Sequence, residues 1–268
     1  MSSILLKLWL LGGVLFCLSP KAAAQLPDTT KGSYRYFEID ELGNTYGISN
    51  KAGRDILLKI PTTAAVTYRY SNEMLGNIYS MDISNPFFLL VFYKEYQQLV
   101  FLDRTLSKTG NLAFGAIDLW DINAVCASKS GDIWIWDEGD FKLKKINTQG
   151  QLIIESRDLR LTVDPSIHLN KLQAFGDQLY GMDNDKGIFV FDTHAQLKYS
   201  LPLDQLEDFF VYQHKIFYVL KGKAYYHKIG ESTPKNIYST TNDIQQIRAN
   251  SHGIFILRKG QIELLKDE

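Results

Sequence analysis

Short segments of alternating apolar and polar residues follow one another along most of the chain. In each group an apolar strand leads into a polar turn, and a second apolar strand that carries an aromatic residue follows, as in Ser130-Gly131-Asp132-Ile133-Trp134. The same turn and second strand recur at residues 42–46, 175–180, 213–217 (without the glycine) and 251–255. Alternation with a period of two is typical of half-buried strands, so the pattern predicts an all-β chain.

The groups repeat at a regular interval. Predicted first strands lie at residues 36–39, 78–83, 122–127, 169–175, 209–212 and 244–249, and they define six units. A period of about 40 residues with three or four strands per unit is typical of a β-propeller. We therefore predict an all-β, six-bladed β-propeller, with an open sandwich as the alternative. The last unit has only three predicted strands, and residues 26–33 are expected to supply its outer strand.

The first 24 residues follow a different pattern. Lys7 precedes an apolar run at residues 8–18, and Ala22-Ala23-Ala24 follows the run. A run of this length is too short for a membrane span of ~20 residues, whereas the alanines match a signal-peptidase site. We expect residues 1–24 to be a signal peptide that is cleaved before Gln25, which leaves residues 25–268 as a single propeller domain. A lipid anchor on Cys17 is the alternative.

Composition narrows the class of protein. The chain has 268 residues, of which 45% are hydrophobic and 22% charged, and this composition excludes a disordered protein or a multi-span membrane protein. Its 29 basic and 30 acidic residues give no basic excess, so no nucleic-acid partner is expected. After signal cleavage Cys126 is the last cysteine left, so no internal disulfide is expected. It lies in an apolar first strand, and we expect a buried, inert thiol.

Two units carry a family resemblance. The run from Gly131 to Asp137 with residues 142–150, and residues 179–183 with residues 187–192, resemble the NHL-type propeller repeat. Residues 75–103 look like uncharacterised exported propeller proteins of Bacteroidota. These resemblances imply a propeller fold and a periplasmic or envelope-associated location in a Gram-negative bacterium. They imply no known activity.

Polar residues recur at two places in the units. Asp137 and Asp183 end second strands, where a carboxylate can accept hydrogen bonds from turn amides. First strands begin with Asp or Asn, at Asp82, Asp121 with Asn123, Asn170, Asp208 and Asp243. We expect the second set to line one mouth of the central channel. Lactonase-type propellers hold a divalent ion at such places, so a metal-dependent lactonase or esterase is the alternative function. The preferred interpretation is a hydrated polar lining, with no metal and no cofactor.

Catalytic motifs do not stand out. The five histidines, His168, His194, His214, His227 and His252, lie in different units and have no metal-ligand spacing. We expect them to be turn and surface residues. The sequence also contains no Gly-x-Ser-x-Gly motif. These observations favour a non-enzymatic function.

A group of aromatic residues suggests where a partner binds. The predicted binding residues are Asn85, Tyr93, Tyr96, Trp120 and Asp121. Aromatic residues are enriched at the centres of interfaces, and packing between blades is the alternative role for Tyr93 and Tyr96. We expect this group to share one face of the propeller with Asp82. The expected partner is a protein or glycan of the cell envelope.

Overall fold

The computed structural model describes residues 33–62, 66–85, 88–231, 233–238 and 243–265. These residues form six antiparallel sheets, five with four strands and one with three. Within each sheet the strands lie side by side in chain order. The structure therefore confirms the prediction of an all-β, six-bladed propeller. The predicted signal peptide and most of the segment at residues 26–33 lie outside the described residues.

The first three blades occupy the amino-terminal half of the described chain. Their strands are β1 (Tyr34–Ile39), β2 (Thr45–Lys51), β3 (Arg54–Ile60) and β4 (Tyr68–Tyr70); β5 (Ser80–Asp82), β6 (Leu89–Tyr93), β7 (Gln98–Leu102) and β8 (Lys108–Ala113); β9 (Ile122–Ala127), β10 (Ile133–Asp137), β11 (Lys142–Ile146) and β12 (Leu152–Glu155). Short 3-10 helices lie at Lys94–Tyr96, Phe114–Ile117 and Leu159–Leu161, in the turns and connections that follow strands.

The other three blades repeat the arrangement. Their strands are β13 (Lys171–Phe175), β14 (Gln178–Asp183), β15 (Gly187–Asp192) and β16 (Leu197–Leu201); β17 (Leu206–Tyr212), β18 (Lys215–Leu220), β19 (Lys223–Lys228) and β20 (Lys235–Tyr238); β21 (Ile244–Asn250), β22 (Gly253–Arg258) and β23 (Gln261–Leu265). The first strand of each blade is the inner one, and the six inner strands surround the central channel.

The hydrophobic core is divided among the interfaces between blades. Six clusters of buried side chains each combine residues from two neighbouring blades. Between blades 3 and 4, for example, Trp136 and Phe141 pack edge to face with ring centroids 5.0 Å apart, and Leu172 belongs to the same cluster. A single four-stranded sheet cannot bury both of its faces, so the blades stabilise one another through these wedges.

Polar side chains join the blades near the channel. In each case a side-chain oxygen of one blade accepts a hydrogen bond from a backbone amide of the next, at Asp55–Ile78, Asp82–Ala127, Gln173–Val211, Asp208–Ile247 and Gln246–Phe37. Because inner strands of adjacent blades do not pair with each other, their amides need partners of this kind. These hydrogen bonds link each of these blades to its neighbour.

The ring closes between blade 6 and blade 1. The Tyr34 amide donates to the Gly260 carbonyl over 2.9 Å, and a buried cluster contains Phe37 from blade 1 with Phe255 and Leu257 from blade 6. Blade 6 therefore packs directly on blade 1. The predicted outer strand of blade 6, at residues 26–33, lies almost entirely outside the residues that the structure describes. Within the part of the chain that the structure describes, no helix is long and apolar enough to span a membrane.

The Cys126 side chain is completely buried in the core between blades 3 and 4. Burial and the nearby carboxylate of Asp82 raise the pKa of the thiol well above its ordinary value. We expect the native protein to be unreactive toward Ellman's reagent at pH 8, and to react fully once unfolded in guanidinium, because the thiolate is the reacting form. Release of one equivalent of thionitrobenzoate from the folded protein, at the rate of an exposed thiol, would contradict this prediction.

Candidate binding surfaces and the central channel

The propeller has two different faces. The 2–3 face carries the turns between second and third strands and the connections from blade to blade, whereas the 1–2 face carries the turns between first and second strands. In blade 2 the turn that contains Lys94–Tyr96 lies on the 2–3 face, since it joins β6 to β7. The connection that precedes β9 and contains Trp120 and Asp121 lies on the same face.

A pair of hydrogen bonds brings three of the predicted binding residues together. The Gln97 side chain accepts from the Ile122 amide (2.7 Å) and donates to the Ile122 carbonyl (2.9 Å). Gln97 immediately follows Tyr96, and Ile122 follows Trp120 and Asp121. The two segments are therefore tied together although 25 residues separate Gln97 from Ile122. The Tyr96 side chain is 55% exposed and the Trp120 side chain 71%.

The Trp120 indole is held in place despite its exposure. It lies against Gly115, where a Cβ atom would be only 2.7 Å from Trp120 Cζ3. The backbone beneath it is fixed by a hydrogen bond from the Leu119 amide to the Phe114 carbonyl, and Asp118 has a positive φ of 58°. A large side chain that is both exposed and restrained loses little conformational freedom on binding, which is a property of interface anchors.

Other apolar side chains are exposed on the 2–3 face. Met74 is 82% exposed in the connection between blades 1 and 2, and Leu161 is exposed in the connection between blades 3 and 4. Gly76, two residues after Met74, lies beside the Tyr96 ring. The Arg160 guanidinium lies over the Phe141 ring, with its carbon 4.8 Å from the ring centroid. We use the name aromatic patch for Tyr96 and Trp120 together with Met74, Asp121 and Leu161, which are exposed on the same face.

Tyr93 does not belong to this surface. Its side chain is 1% exposed and lies in the cluster between blades 1 and 2, with Ile48 and Leu57. Every position of β6 is buried, because blade 1 covers one face of the strand and blade 3 the other. The prediction of Tyr93 as a binding residue is therefore wrong, and the residue has the packing role that the sequence left as its alternative.

Asn85 and Asp82 lie away from the aromatic patch. The Asp82 side chain accepts from the amide of Ala127, which ends β9, and Asp82 itself ends β5. Asn85 lies in the following turn, where its carbonyl accepts from the Phe88 amide. The carboxyl ends of first strands lie at the 1–2 face, because the turn to the second strand begins there. The expectation that Asn85 and Asp82 share one surface with Tyr96 and Trp120 is wrong. Asp82 is the last residue of β5 and therefore lies at the end of the strand that is away from the 2–3 face.

A polar cluster on the 2–3 face was missed by the sequence analysis. Glu138 Oε2 accepts from Asn123 Nδ2 (2.6 Å) and Trp136 Nε1 (2.7 Å), while Oε1 contacts His168 Nδ1. The imidazole of His168 is 74% exposed, as expected for a surface histidine. No spacing in the sequence indicates its contact with Glu138, because His168 enters from the connection to blade 4, 30 residues further along.

The channel is crossed by a buried ionic network. Arg248 bonds Glu38 through Nε (2.6 Å) and Asp208 through Nη1 (2.5 Å), and Lys171 Nζ lies 2.6 Å from Asp208. Arg248 is fully buried. Burial raises the pKa of Asp208, but the charges of Arg248 and Lys171 outweigh it and hold the pKa below its ordinary value. The network joins blades 1, 4, 5 and 6.

Two residues of the predicted polar ring, Asp208 and Asp82, have partners within the fold. Asp208 is neutralised by two cations, and Asp82 accepts from backbone amides. Among the described residues no group of three or more His, Cys, Asp or Glu side chains is placed to hold a metal ion. The predicted turn role of Asp137 and Asp183 is confirmed, since Asp137 accepts from the Asp140 amide and Asp183 from the amides of Asp185 and Lys186.

A cavity of about 320 Å³ occupies the channel. Each first strand contributes an apolar residue to its wall, namely Ile39, Met81, Val125, Leu172, Val211 and Ala249. The exposed residues Leu42 and Ser84 border it on the 1–2 face. Near the 2–3 face the Tyr79 hydroxyl of blade 2 donates to the Asn170 carbonyl of blade 4 over 3.4 Å. The exposed residues of the lining, Glu41, Leu42 and Ser84, all lie at the 1–2 face, so the cavity opens on that face.

Comparison with known proteins supports the fold alone. No family model and no curated protein sequence matches the chain. Among solved structures, a catalytically inactive variant of virginiamycin B lyase from Staphylococcus aureus, with quinupristin, is similar with a TM-score of 0.61 and 14% identity, over 87% of this chain and 80% of that chain. The WD40 domain of Neurospora crassa Pan2 is similar with a TM-score of 0.56 and 10% identity, over 88% and 90% of the two chains.

A third similar structure is the extracellular domain of a putative one-component system from B. thetaiotaomicron. The TM-score is 0.58 and the identity 12%, and the match covers 87% of this chain but 38% of that chain. At these identities the shared feature is the propeller. The NHL-type resemblance stays a prediction, since no family model matches.

Proposed function

We propose that the protein is an exported, non-enzymatic propeller of the cell envelope that binds a protein or glycan partner through the aromatic patch on its 2–3 face. The observation that carries the proposal is the exposed Trp120 indole, which packs on Gly115 in a segment that the bonds of Gln97 with Ile122 join to the segment of Tyr96. Restrained aromatic residues at the centre of an exposed apolar surface are typical binding hot spots.

The surroundings of the patch suit an interface. Asp121 beside Trp120 is exposed, and the Glu138 and His168 pair lies on the same face. Polar groups around an apolar centre form the rim of a typical interface, where they orient the partner and exclude unsuitable ones. Export is supported by the signal-like residues 1–24 and by the similar fold of an extracellular domain in B. thetaiotaomicron.

The metal-dependent hydrolase is the weaker candidate. Its site requires several channel carboxylates to be available as ligands, whereas Asp208 and Glu38 are engaged by Arg248 and Lys171. No specific observation among the described residues favours it.

Trp120→Ala and Tyr96→Ala are each expected to weaken partner binding by about tenfold to a hundredfold, which corresponds to ~1–3 kcal/mol for an aromatic anchor. Their free energy of unfolding should change by no more than about 0.5 kcal/mol, because both side chains are exposed. A photo-cross-linking amino acid at position 120 should yield a defined adduct in the periplasmic or envelope fraction. Protein adducts are identified by mass spectrometry, and purified envelope glycans are titrated in parallel.

Position 152 provides a matched control. Leu152 is also exposed, but it lies in the outer strand β12, away from the aromatic patch. Cross-linking there should give no adduct, and Leu152→Ala should bind as the wild type does. The proposal fails if positions 120 and 152 give the same products and no glycan binds, or if the alanine variants bind normally.

A further inference from the structure

The channel cavity has a wall that suits a ligand with an apolar body. Besides the six apolar residues of the first strands, the rings of Phe210 and Tyr212 line it. A volume of about 320 Å³ lies at the lower end of the range for ligand sites, so the cavity matches a small molecule. Its entrance on the 1–2 face lies on the opposite side of the propeller from the aromatic patch. It is therefore a separate site, independent of the proposed function.

The wall of the cavity carries more negative than positive side chains. Four carboxylates line the cavity, Glu38, Asp40, Glu41 and Asp82, against a single cation, Lys171. Arg248 neutralises Glu38, and Asp208 neutralises Lys171. Within the described chain, Asp40, Glu41 and Asp82 form no ion pair. The wall therefore retains an excess of negative charge at the end that opens on the 1–2 face.

Of these unpaired carboxylates, Asp82 lies within a first strand, whereas Asp40 and Glu41 follow the end of β1. The Asp82 oxygens accept from the backbone amides of Ser84 and Ala127, each over 2.8 Å, and these are neutral donors. Burial raises the pKa of the Asp82 carboxyl above its ordinary value. Near the other end of the cavity, the side-chain oxygen of Asn170 is buried and has no hydrogen-bond partner among the described residues. Both groups are acceptors that a donor cation can satisfy.

We propose that the channel binds a small organic ammonium ion, with its apolar body between the first strands and its cationic end at Asp82. A neutral ligand of the same shape leaves the Asp82 charge uncompensated, and an anion is repelled by it. The apolar wall in turn disfavours a fully hydrated inorganic cation. Recognition thus requires both parts of the ligand.

Three probes of nearly equal size test the proposal. 3-Phenylpropylammonium, 3-phenylpropan-1-ol and 3-phenylpropanoate each have a phenyl ring on a chain of three carbons and differ in the charge at the other end of that chain. In calorimetric titrations at pH 7 and low salt, the ammonium probe should bind about tenfold more tightly than the alcohol, and the carboxylate should bind more weakly than both. Asp82→Asn should remove most of the ammonium probe's advantage and leave the affinity for the alcohol unchanged.

Methionine methyl resonances report where the probe binds. Met81 lines the cavity, whereas Met74 is exposed on the 2–3 face. In protein labelled with [methyl-13C]methionine, the Met81 signal should shift saturably with the ammonium probe and the Met74 signal should not. Glu73→Gln, which removes an exposed carboxylate that pairs with Arg54 on the 2–3 face, is the control for a change of net charge and should have no effect.

Several outcomes would overturn the inference. Equal affinities for the three probes, a shift of the Met74 signal in place of Met81, or unchanged binding by Asp82→Asn would each do so. If Asp82→Asn does not fold, Glu41→Gln at the exposed rim is used, for which we expect about a threefold loss of affinity for the ammonium probe alone. Absence of saturable binding of the ammonium probe to the wild-type protein also refutes it.

Discussion

Replacing Arg248 with methionine is expected to lower the free energy of unfolding by about 3–5 kcal/mol. The guanidinium is fully buried between Glu38 and Asp208, and Arg248→Met leaves both carboxylates buried without it. Lys171 remains as a partner for Asp208, but among the described residues Glu38 keeps only the Tyr36 hydroxyl. Urea titrations at pH 7, followed by tryptophan fluorescence, measure the change.

The pH dependence distinguishes the loss of charge pairing from a loss of packing. Because the pKa of Asp208 is lowered in the folded protein, this group stabilises the fold above its unfolded pKa of about 3.9, and that contribution is lost as the pH falls through the lowered value. The wild type should therefore lose more stability between pH 5 and pH 3 than Arg248→Met does. A loss below about 1 kcal/mol at pH 7, or identical pH profiles, would contradict the argument.

A quadruple variant serves as the control. Glu38→Met, Lys171→Met, Asp208→Leu and Arg248→Met together remove every charge of the buried ionic network. Replacing a buried ionic cluster by apolar residues is often neutral or stabilising, so most of the lost stability should return if uncompensated charge is the cause. The network also bears on ligand binding, because Glu38 and Lys171 line the channel cavity. Arg248→Met is thus expected to impair ligand binding in the channel more than partner binding at the aromatic patch.

The fold was predictable because its signal is repeated. Each unit carries the same order of strand, turn and aromatic strand, and errors in one unit do not alter the period. The predicted first strand at residues 122–127 coincides with β9 (Ile122–Ala127), whereas the one at residues 78–83 shortens to β5 (Ser80–Asp82). Just before β5, the Tyr79 amide still donates to the Phe92 carbonyl of β6, while the Tyr79 hydroxyl reaches the Asn170 carbonyl on blade 4. A contact across the channel has no counterpart in local sequence.

The site was predictable only in part. Trp120 and Tyr96 are exposed, but Tyr93 is buried, and the difference lies in the segment Leu-Leu-Val-Phe-Tyr of β6. A continuous apolar run indicates a strand that is covered on both faces, so this signal was present in the sequence. The ionic network left a weaker trace, a charged residue between two apolar residues of a first strand, as with Arg248 between Ile247 and Ala249. Its partner Glu38 is 210 residues away, and only the closed ring brings the two together.

Gly187→Ala is expected to lower the free energy of unfolding by about 2–4 kcal/mol, because backbone strain and a steric clash coincide there. Gly187 begins β15 with a φ of 103°, a conformation that residues with a side chain rarely adopt. A Cβ atom would lie 2.6 Å from the Leu203 amide nitrogen and closer still to the Leu201 carbonyl oxygen. Both obstacles are backbone atoms, so no side-chain rotation relieves the clash.

Gly176→Ala in the same blade is the matched control for this last prediction. Gly176 also has a positive φ, of 60°, but no atom lies within 4 Å of the position that a Cβ would take. The free energy of unfolding of Gly176→Ala should fall by about 1 kcal/mol, because only the left-handed backbone conformation disfavours alanine there. Urea titrations of the two variants side by side measure the contribution of the clash. Equal losses of stability would refute the prediction, because they would show that residues 201–203 move aside. Because Gly187 follows the turn that Asp183 caps, and the Asp183 carboxylate also accepts from the His168 amide on the 2–3 face, a shift at Gly187 should also appear in the His168 imidazole NMR signals.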